Sequence, residues 1–240
     1  MTCGLGVATD MEEPFIERTI VLSANHAHAS KSRTIVLSAS VGCVPRIVTL
    51  PPAKDSEPRA RLLATASKLF YREGVHSVGV DRIVSEANVT RATFYRHFPS
   101  KQDLVLAYLQ SAHDVIEERM AIALAMEDPR ARLRALGDDI AAQLQSPGFG
   151  GCAFIKVASE FDDPDEPVRL AVTAHRAWFA EIVRTAFADA GHVRPNDPTR
   201  HFIMLRDGAM VAGYLDGTDQ AAETFTRGVA GLLRYINATP

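Results

Sequence analysis

Thr90, Arg91, Ala92 and Thr93 stand in a row at the start of a short segment with apolar residues at helical spacing, and their side chains suit the edges of base pairs. Arg91 offers paired N–H donors that match the two acceptors of guanine in a major groove. Thr93 offers a hydroxyl and a methyl, the latter fit to meet a thymine methyl, and Ala92 is small enough to permit close approach. A helix N-terminus presents unpaired N–H groups and the positive end of its dipole, which suits phosphate. The turn from Thr90 to Thr93 is therefore the part expected to enter a major groove, with Arg96 and Arg59 adding charge at its edge.

Such a turn needs a scaffold, and residues 78–98 supply it. Val80, Ile83, Val84 and Ala87 recur at helical spacing and make an apolar face. Asn88 tolerates the left-handed backbone that a helix–turn junction requires. Val89 is apolar within the turn and plugs the angle between two helices. Thr90 stands at an N-cap position. Phe94 and Phe98 turn the second helix inward as core residues. That helix is too short to persist alone in water, so its flanks must hold it. Upstream, Ser56 and Pro58 suit a helix start. Leu62, Leu63, Ala66, Leu69 and Phe70 form a buried stripe over 61–72, and Gly74 stops it. Downstream, Pro99 and Ser100 break and cap, Asp103 completes a box-like cap, and a long helix over about 101–127 ends at Asp128-Pro129.

These residues carry a resemblance. Arg61-Leu62-Leu63, Ala66, Leu69-Phe70, Gly74, Ile83, Ala87-Asn88-Val89-Thr90, Thr93-Phe94-Tyr95, His97-Phe98, Ser100-Lys101 and Leu104 resemble, in order and spacing, the DNA-binding domain of the TetR family of bacterial transcriptional repressors. Gly79-Val80 departs from it, since the family often has Thr where the second helix starts. The resemblance implies backbone-phosphate contacts at Tyr95, His97 and Lys101. It also implies about nine helices, and a C-terminal half that binds a small, often lipophilic effector and then releases DNA.

Charge is distributed in keeping with that reading. The chain carries a formal net charge of −3, but residues 56–105 hold 8 basic and 5 acidic side chains while residues 106–240 hold 13 and 19. A basic segment on an acidic protein confines a nucleic-acid footprint to one face. The hydrophobic share of 47% and charged share of 23% are those of a soluble globular chain. Cys3, Cys43 and Cys152 lack metal or disulfide spacing, so a reducing cytoplasm is expected, with no metal and no cofactor. No apolar run approaches the roughly 20 residues of a membrane span, and Asp10, Glu12 and Glu13 are wrong for a secretory leader.

After residue 105 the pattern is all helix: 129–145, 152–161, a long one begun by Asp163-Pro164, one begun by Asp197-Pro198, and a last one over about 219–237. No GxSxG, HExxH or phosphate-loop motif occurs, so no catalytic residue is assigned. Cys152 at a helix start offers a rival reading, a thiol switch or enzyme with the helical head as accessory. Apolar bulk across several helices suggests an effector site at Cys152, Phe154, Phe161, His175, Trp178, Phe179 and Met204, with His175, Arg176 or Glu160 orienting a ligand. Gly208, Ala209, Ala212 and Gly213, with Leu205, Val211, Leu215, Phe225, Val229, Leu232 and Leu233, read as a homodimer face. A twofold dimer would set two recognition helices on successive major grooves of double-stranded DNA and demand a palindromic operator.

Residues 1–55 stand apart. Arg18-Thr19-Ile20-Val21-Leu22-Ser23-Ala24 recurs letter for letter as residues 33–39. Three readings compete: a disordered tail, a β-hairpin of the two copies, and a start codon assigned too early, with the repeat echoing repeated DNA beside the gene. The expected architecture is all-α. An N-terminal extension (1–55) precedes a three-helix helix-turn-helix domain (56–105) and a helical effector-binding and dimerisation domain (106–240).

Overall fold

The computed structural model describes residues 20–21, 34–35, 47 and 56–235. The chain divides into two units between Pro45 and Arg46. In the first, two-residue strands β1 (Ile20–Val21) and β2 (Thr34–Ile35) pair antiparallel, Ile20 opposite Ile35 and Val21 opposite Thr34. The two copies of the heptapeptide thus meet each other at these four residues. The disordered-tail and early-start readings fall on residues outside the described ones.

In the second unit the described residues of 56–235 form helices alone. α1 (Glu57–Glu73) buries Leu62, Ala66, Leu69 and Phe70, with Leu63 half-buried beside them. Pro58 lies in its first turn, and Gly74 ends it at φ +88°, a conformation that favours glycine. Ser56 occupies the N-cap position without capping. Its hydroxyl instead lies 3.4 Å from His97 Nε2. α2 (Val80–Glu86) and α3 (Arg91–His97) are joined through Asn88 at φ +50°. Phe94 and Phe98 close the head's core against α1.

α4 (Lys101–Leu124) leaves the head and enters the body. Its start is the expected reciprocal cap: Ser100 Oγ accepts from Asp103 N at 3.1 Å and donates to Asp103 Oδ2 at 2.7 Å. α5 (Pro129–Leu144) is capped by Asp128, whose carboxylate accepts from Arg130 N. α6 (Ala153–Ala158) is only six residues long, shorter than the expected 152–161. α7 (Pro167–Asp189) starts later than the Asp163-Pro164 signal. That dipeptide makes a tight turn instead: Asp163 accepts from Asp165 N through its side chain and from Glu166 N through its carbonyl. The second proline, Pro167, then opens the helix. α8 (Asn196–Leu215) and α9 (Thr218–Tyr235) pack on each other, with α9 also on α5. Among the described residues no helix is long and apolar enough to cross a membrane.

Candidate functional site

The first turn of α3 is built as an exposed platform. Thr90 Oγ1 accepts from Thr93 N at 3.1 Å, and the two threonine hydroxyls stand 2.9 Å apart. This fixes the helix N-terminus, while Phe94, fully buried three residues on, anchors it from below. Arg91 and Ala92 are left exposed, as are Tyr95 and Arg96. Tyr95 leans edge-on against Phe94, at 5.1 Å between ring centroids. His97 is half-buried beside Ser56. Arg59 lies with its guanidinium 5.2 Å from the Phe98 ring centre. Lys101, at the first position of α4, is half-buried, and burial holds its amine below the usual lysine range while the Glu160 carboxylate opposes that shift. The turn therefore leaves Arg91 and Ala92 open to solvent beside the half-buried Thr93, with Tyr95, Arg96, His97 and Lys101 following along the chain.

Of the expected effector residues, five come together in the body. Phe154 of α6 stacks flat on His175 of α7, with 3.6 Å between ring centroids and 3° between planes. Trp178 closes on the same imidazole at 5.5 Å. Phe179 lies 5.6 Å below the guanidinium of Arg206. Cys152 is buried and accepts from Arg206 Nη2 at 3.2 Å. The other two lie elsewhere. Phe161 packs on His76 of the head at 4.9 Å, because the chain has left α6 before reaching it. Met204 is 71% exposed on the far side of α8.

His113 and Arg206 are members of this cluster that no motif announced. His113 is fully buried, Nδ1 to Nδ1 with His175 at 3.0 Å, and among the described residues its Nε2 has no hydrogen-bond partner. Burial pushes both imidazoles toward the neutral form, His175 down to about 2, with His113, Arg206 and Arg176 adding to the effect. Arg206 is buried between Cys152 and Asp207, and Asp207 also takes Arg176 at 2.6 Å. Both residues sit in apolar register, His113 one turn after Leu109 and Arg206 one turn after Phe202. A polar residue at a core position was the signal available. Among the described residues no cluster of three or more His, Cys, Asp or Glu side chains could hold a metal ion.

α6 and its flanks also hold the head, and here Glu160 departs from the ligand-orienting role expected of it. Its two carboxylate oxygens accept from Val75 N at 2.8 Å and His76 N at 2.6 Å. Gly74 makes room for them: a Cβ there would stand 3.1 Å from Glu160 Oε1. One turn earlier, Lys156 Nζ donates to the carbonyl of Tyr71 at 2.5 Å, in the last turn of α1. The same ammonium lies 5.0 Å from the Tyr71 ring centre and 5.4 Å from that of Tyr214 on α8. The Tyr71 hydroxyl accepts from Gly150 N and donates to Gly151 O. A cation meets the negative end of α1 and an anion meets the free N–H groups beyond it.

Five of the eleven expected dimer residues, Ala209, Gly213, Phe225, Val229 and Leu233, are buried within the chain. Gly213 admits Leu144, which would stand 2.9 Å from a Cβ, and Val229 packs against Gly137. Phe225 and Leu233 are buried. The outer faces of α8 and α9 form instead an open groove of about 1200 Å3, lined by Met204, Gly208, Ala212, Thr224, Gly228 and Leu232 among others. A Cβ at Gly208 or Gly231 would meet nothing within 4 Å among the described residues.

Comparison with known proteins places this architecture. Residues 62–108 match the description "Bacterial regulatory proteins, tetR family". Residues 129–229 match "Tetracyclin repressor-like, C-terminal domain". The crystal structure of SCO4454, a TetR-family transcriptional regulator from Streptomyces coelicolor, superposes with a TM-score of 0.74 at 48% identity, covering 76% of this chain and 97% of that one. The transcriptional activator FasR of Mycolicibacterium smegmatis is 41% identical over 80 residues, 33% of this chain and 36% of its own length. The transcriptional repressor NemR of Escherichia coli K12 is 26% identical over 121 residues, 49% of this chain and 61% of its own. The chain thus spans about a third of one curated relative and three fifths of the other. The capped, exposed first turn of α3 stands in a matched DNA-binding domain on the helical scaffold of the second unit, and the chain belongs to the TetR family of transcriptional regulators.

Proposed function

We propose that the chain is a homodimeric repressor that leaves a palindromic operator when a small, lipophilic effector binds in its body. Residues 56–105 read DNA, and residues 106–240 sense the effector and dimerise. The observation that carries DNA reading is the first turn of α3: capped by Thr90, anchored by Phe94 and open to solvent at Arg91 and Ala92. Thr90 to Thr93 face base edges, and Tyr95, Arg96, His97 and Lys101 meet phosphates. The groove between α8 and α9 receives a second copy, since Gly208 and Gly231 leave open space along its lining for helices to approach closely.

The effector site lies around Phe154, His175, Trp178 and His113, where an unpaired ring nitrogen waits in an apolar setting. α6 carries Phe154 into this cluster and Lys156 toward the head, so a ligand that shifts α6 shifts the grip on α1. The effector must bind the released form more tightly than the DNA-bound form, or nothing moves.

Selection of bound DNA from a random pool at several salt concentrations tests the reading. A two-half-site consensus supports it, and salt-sensitive binding without a consensus refutes it. A thiol switch is the second reading, favoured by the contact between Arg206 and Cys152. Cys152→Ser separates the two: unchanged release of operator by effector leaves the thiol no role.

A further inference from the structure

We propose that Asp81 is a positioning residue for base reading: its carboxylate holds Arg91 toward a base edge and keeps it from the phosphates. The proposal rests on the reading of Arg91 as a base contact. Asp81 lies in the first turn of α2 and Arg91 is the first residue of α3. Asp81 Oδ1 stands 3.1 Å from Arg91 Nη1, with the Asp81 side chain 75% exposed and the Arg91 side chain 61%. An ion pair this open adds little to stability in water. A carboxylate on the surface offered to a polyanion also repels it, so the pair needs another reason to be there.

The surrounding acids sharpen the point. Glu57 pairs with Arg61 on the same helix, and Glu73 and Glu86 both pair with Arg82. Asp103 belongs to the cap of α4. Asp81 is the acid of residues 56–105 whose ion pair reaches the recognition helix. Arginine has five donors in a rigid fork. With Nη1 held by Asp81, Nε and Nη2 remain to meet the two acceptors of guanine, and the fork is held in one orientation before DNA arrives. Without the carboxylate, the same flexible side chain reaches the nearest phosphate, which carries no sequence information.

The test uses the full chain and random-pool selection with wild type, Asp81→Asn, Arg91→Ala and the double variant. Asp81→Asn is expected to lose about tenfold in preference at one base pair of each half-site, the same pair that Arg91→Ala relaxes. The double variant should match Arg91→Ala alone. Asp81→Asn should also bind random DNA more tightly, with a salt slope steeper by about 0.9 for each phosphate newly met. A role confined to stabilising α2 would weaken all sequences alike and move no single position. Should Asp81→Asn fail to fold, Asp81→Ser carries the same comparison. If Arg91→Ala relaxes one position and Asp81→Asn leaves it untouched, the proposal is overturned. If Arg91→Ala changes no position, the reading of Arg91 falls first and takes the proposal with it.

Discussion

Across α1–α3, polar side chains stay out of the core and find partners at the surface: Thr90 caps α3, Arg82 joins Glu73 to Glu86, and Arg91 takes Asp81. In the body, His113, His175 and Arg206 are carried inside among Phe154, Trp178 and Phe179. The head's interior is apolar, so its shape is fixed by close packing and its chemistry is displayed outward. The body keeps a bare imidazole nitrogen in its core. Leaving such a group unpaired costs about 1–3 kcal/mol, which a bound molecule would recover. One region is held by apolar packing and the other carries ionisable groups into its core.

The largest effect should come from breaking the head's packing. Phe94 is fully buried under the platform that displays Arg91. Phe94→Ala should cost about 3–5 kcal/mol and abolish operator binding, while the body keeps its helices. Hydrogen exchange would separate the two regions: rapid exchange across α1–α3 with slow exchange in α5 and α9 is the expected pattern. Equal loss in both would mean that the head is not packed as a unit.

Acid should act on the body. His175 is held neutral in the folded chain, down to about 2, against an ordinary value near 6.5. The unfolded chain therefore binds a proton below about pH 6.5 that the folded chain refuses. Stability is fully present above that pH and is lost progressively below it, by about 2 kcal/mol for His175 between pH 6.5 and 5. His113 shifts in the same direction. His175→Phe keeps a ring on Phe154 and removes the titrating nitrogen, so urea unfolding of this variant should show a shallower slope across that window. An unchanged slope would place the acid sensitivity elsewhere.

The joint between the regions gives a smaller effect. Glu160→Gln keeps one acceptor for Val75 and His76 but removes the charge that strengthens both bonds. A loss of about 1–2 kcal/mol in protection of those two amides is expected, with little change in α9. Unchanged protection would mean that Lys156 and Tyr71 hold the head without it.

How much of this the sequence discloses differs along the same line. Local rules serve for most of the head, Ser56 excepted, whose hydroxyl turns to His97 and leaves α1 uncapped. Asn88 in the turn, Thr90 and Ser100 as caps, Gly74 as a stop and the Phe94/Phe98 pair are signals read within a few residues, and each holds in the structure. The body depends on which distant residues meet. His175 and Phe154 were legible as an aromatic and a polar group, but nothing local said that they stack, or that His113 lies 62 positions away with its Nδ1 on the same imidazole. Glu160 looked like a ligand group because its partners are backbone amides 84 and 85 positions upstream, which carry no side-chain signature. The outer and inner faces of α9 were confused for a related reason. Small and apolar residues lie on both, and only packing against α5 shows that Val229 belongs inside.

The smallest expected effect tests whether the head's surface chemistry is as separable from its packing as the comparison implies. Thr90 Oγ1 accepts from Thr93 N and touches its hydroxyl, yet the residue is exposed. Thr90→Val keeps the shape and removes the cap, which should cost about 1 kcal/mol of head stability. That leaves the head folded, since Phe94 and Phe98 remain in place. Operator affinity should fall by more than the stability loss explains, because the freed Thr93 N–H and hydroxyl no longer hold the first turn for Arg91 and Ala92. Measuring unfolding and operator binding on one preparation, with Thr90→Ser as the capped control, resolves the two. If Thr90→Val and Thr90→Ser bind operator equally, the cap serves folding alone and the reading surface is set entirely by the core beneath it.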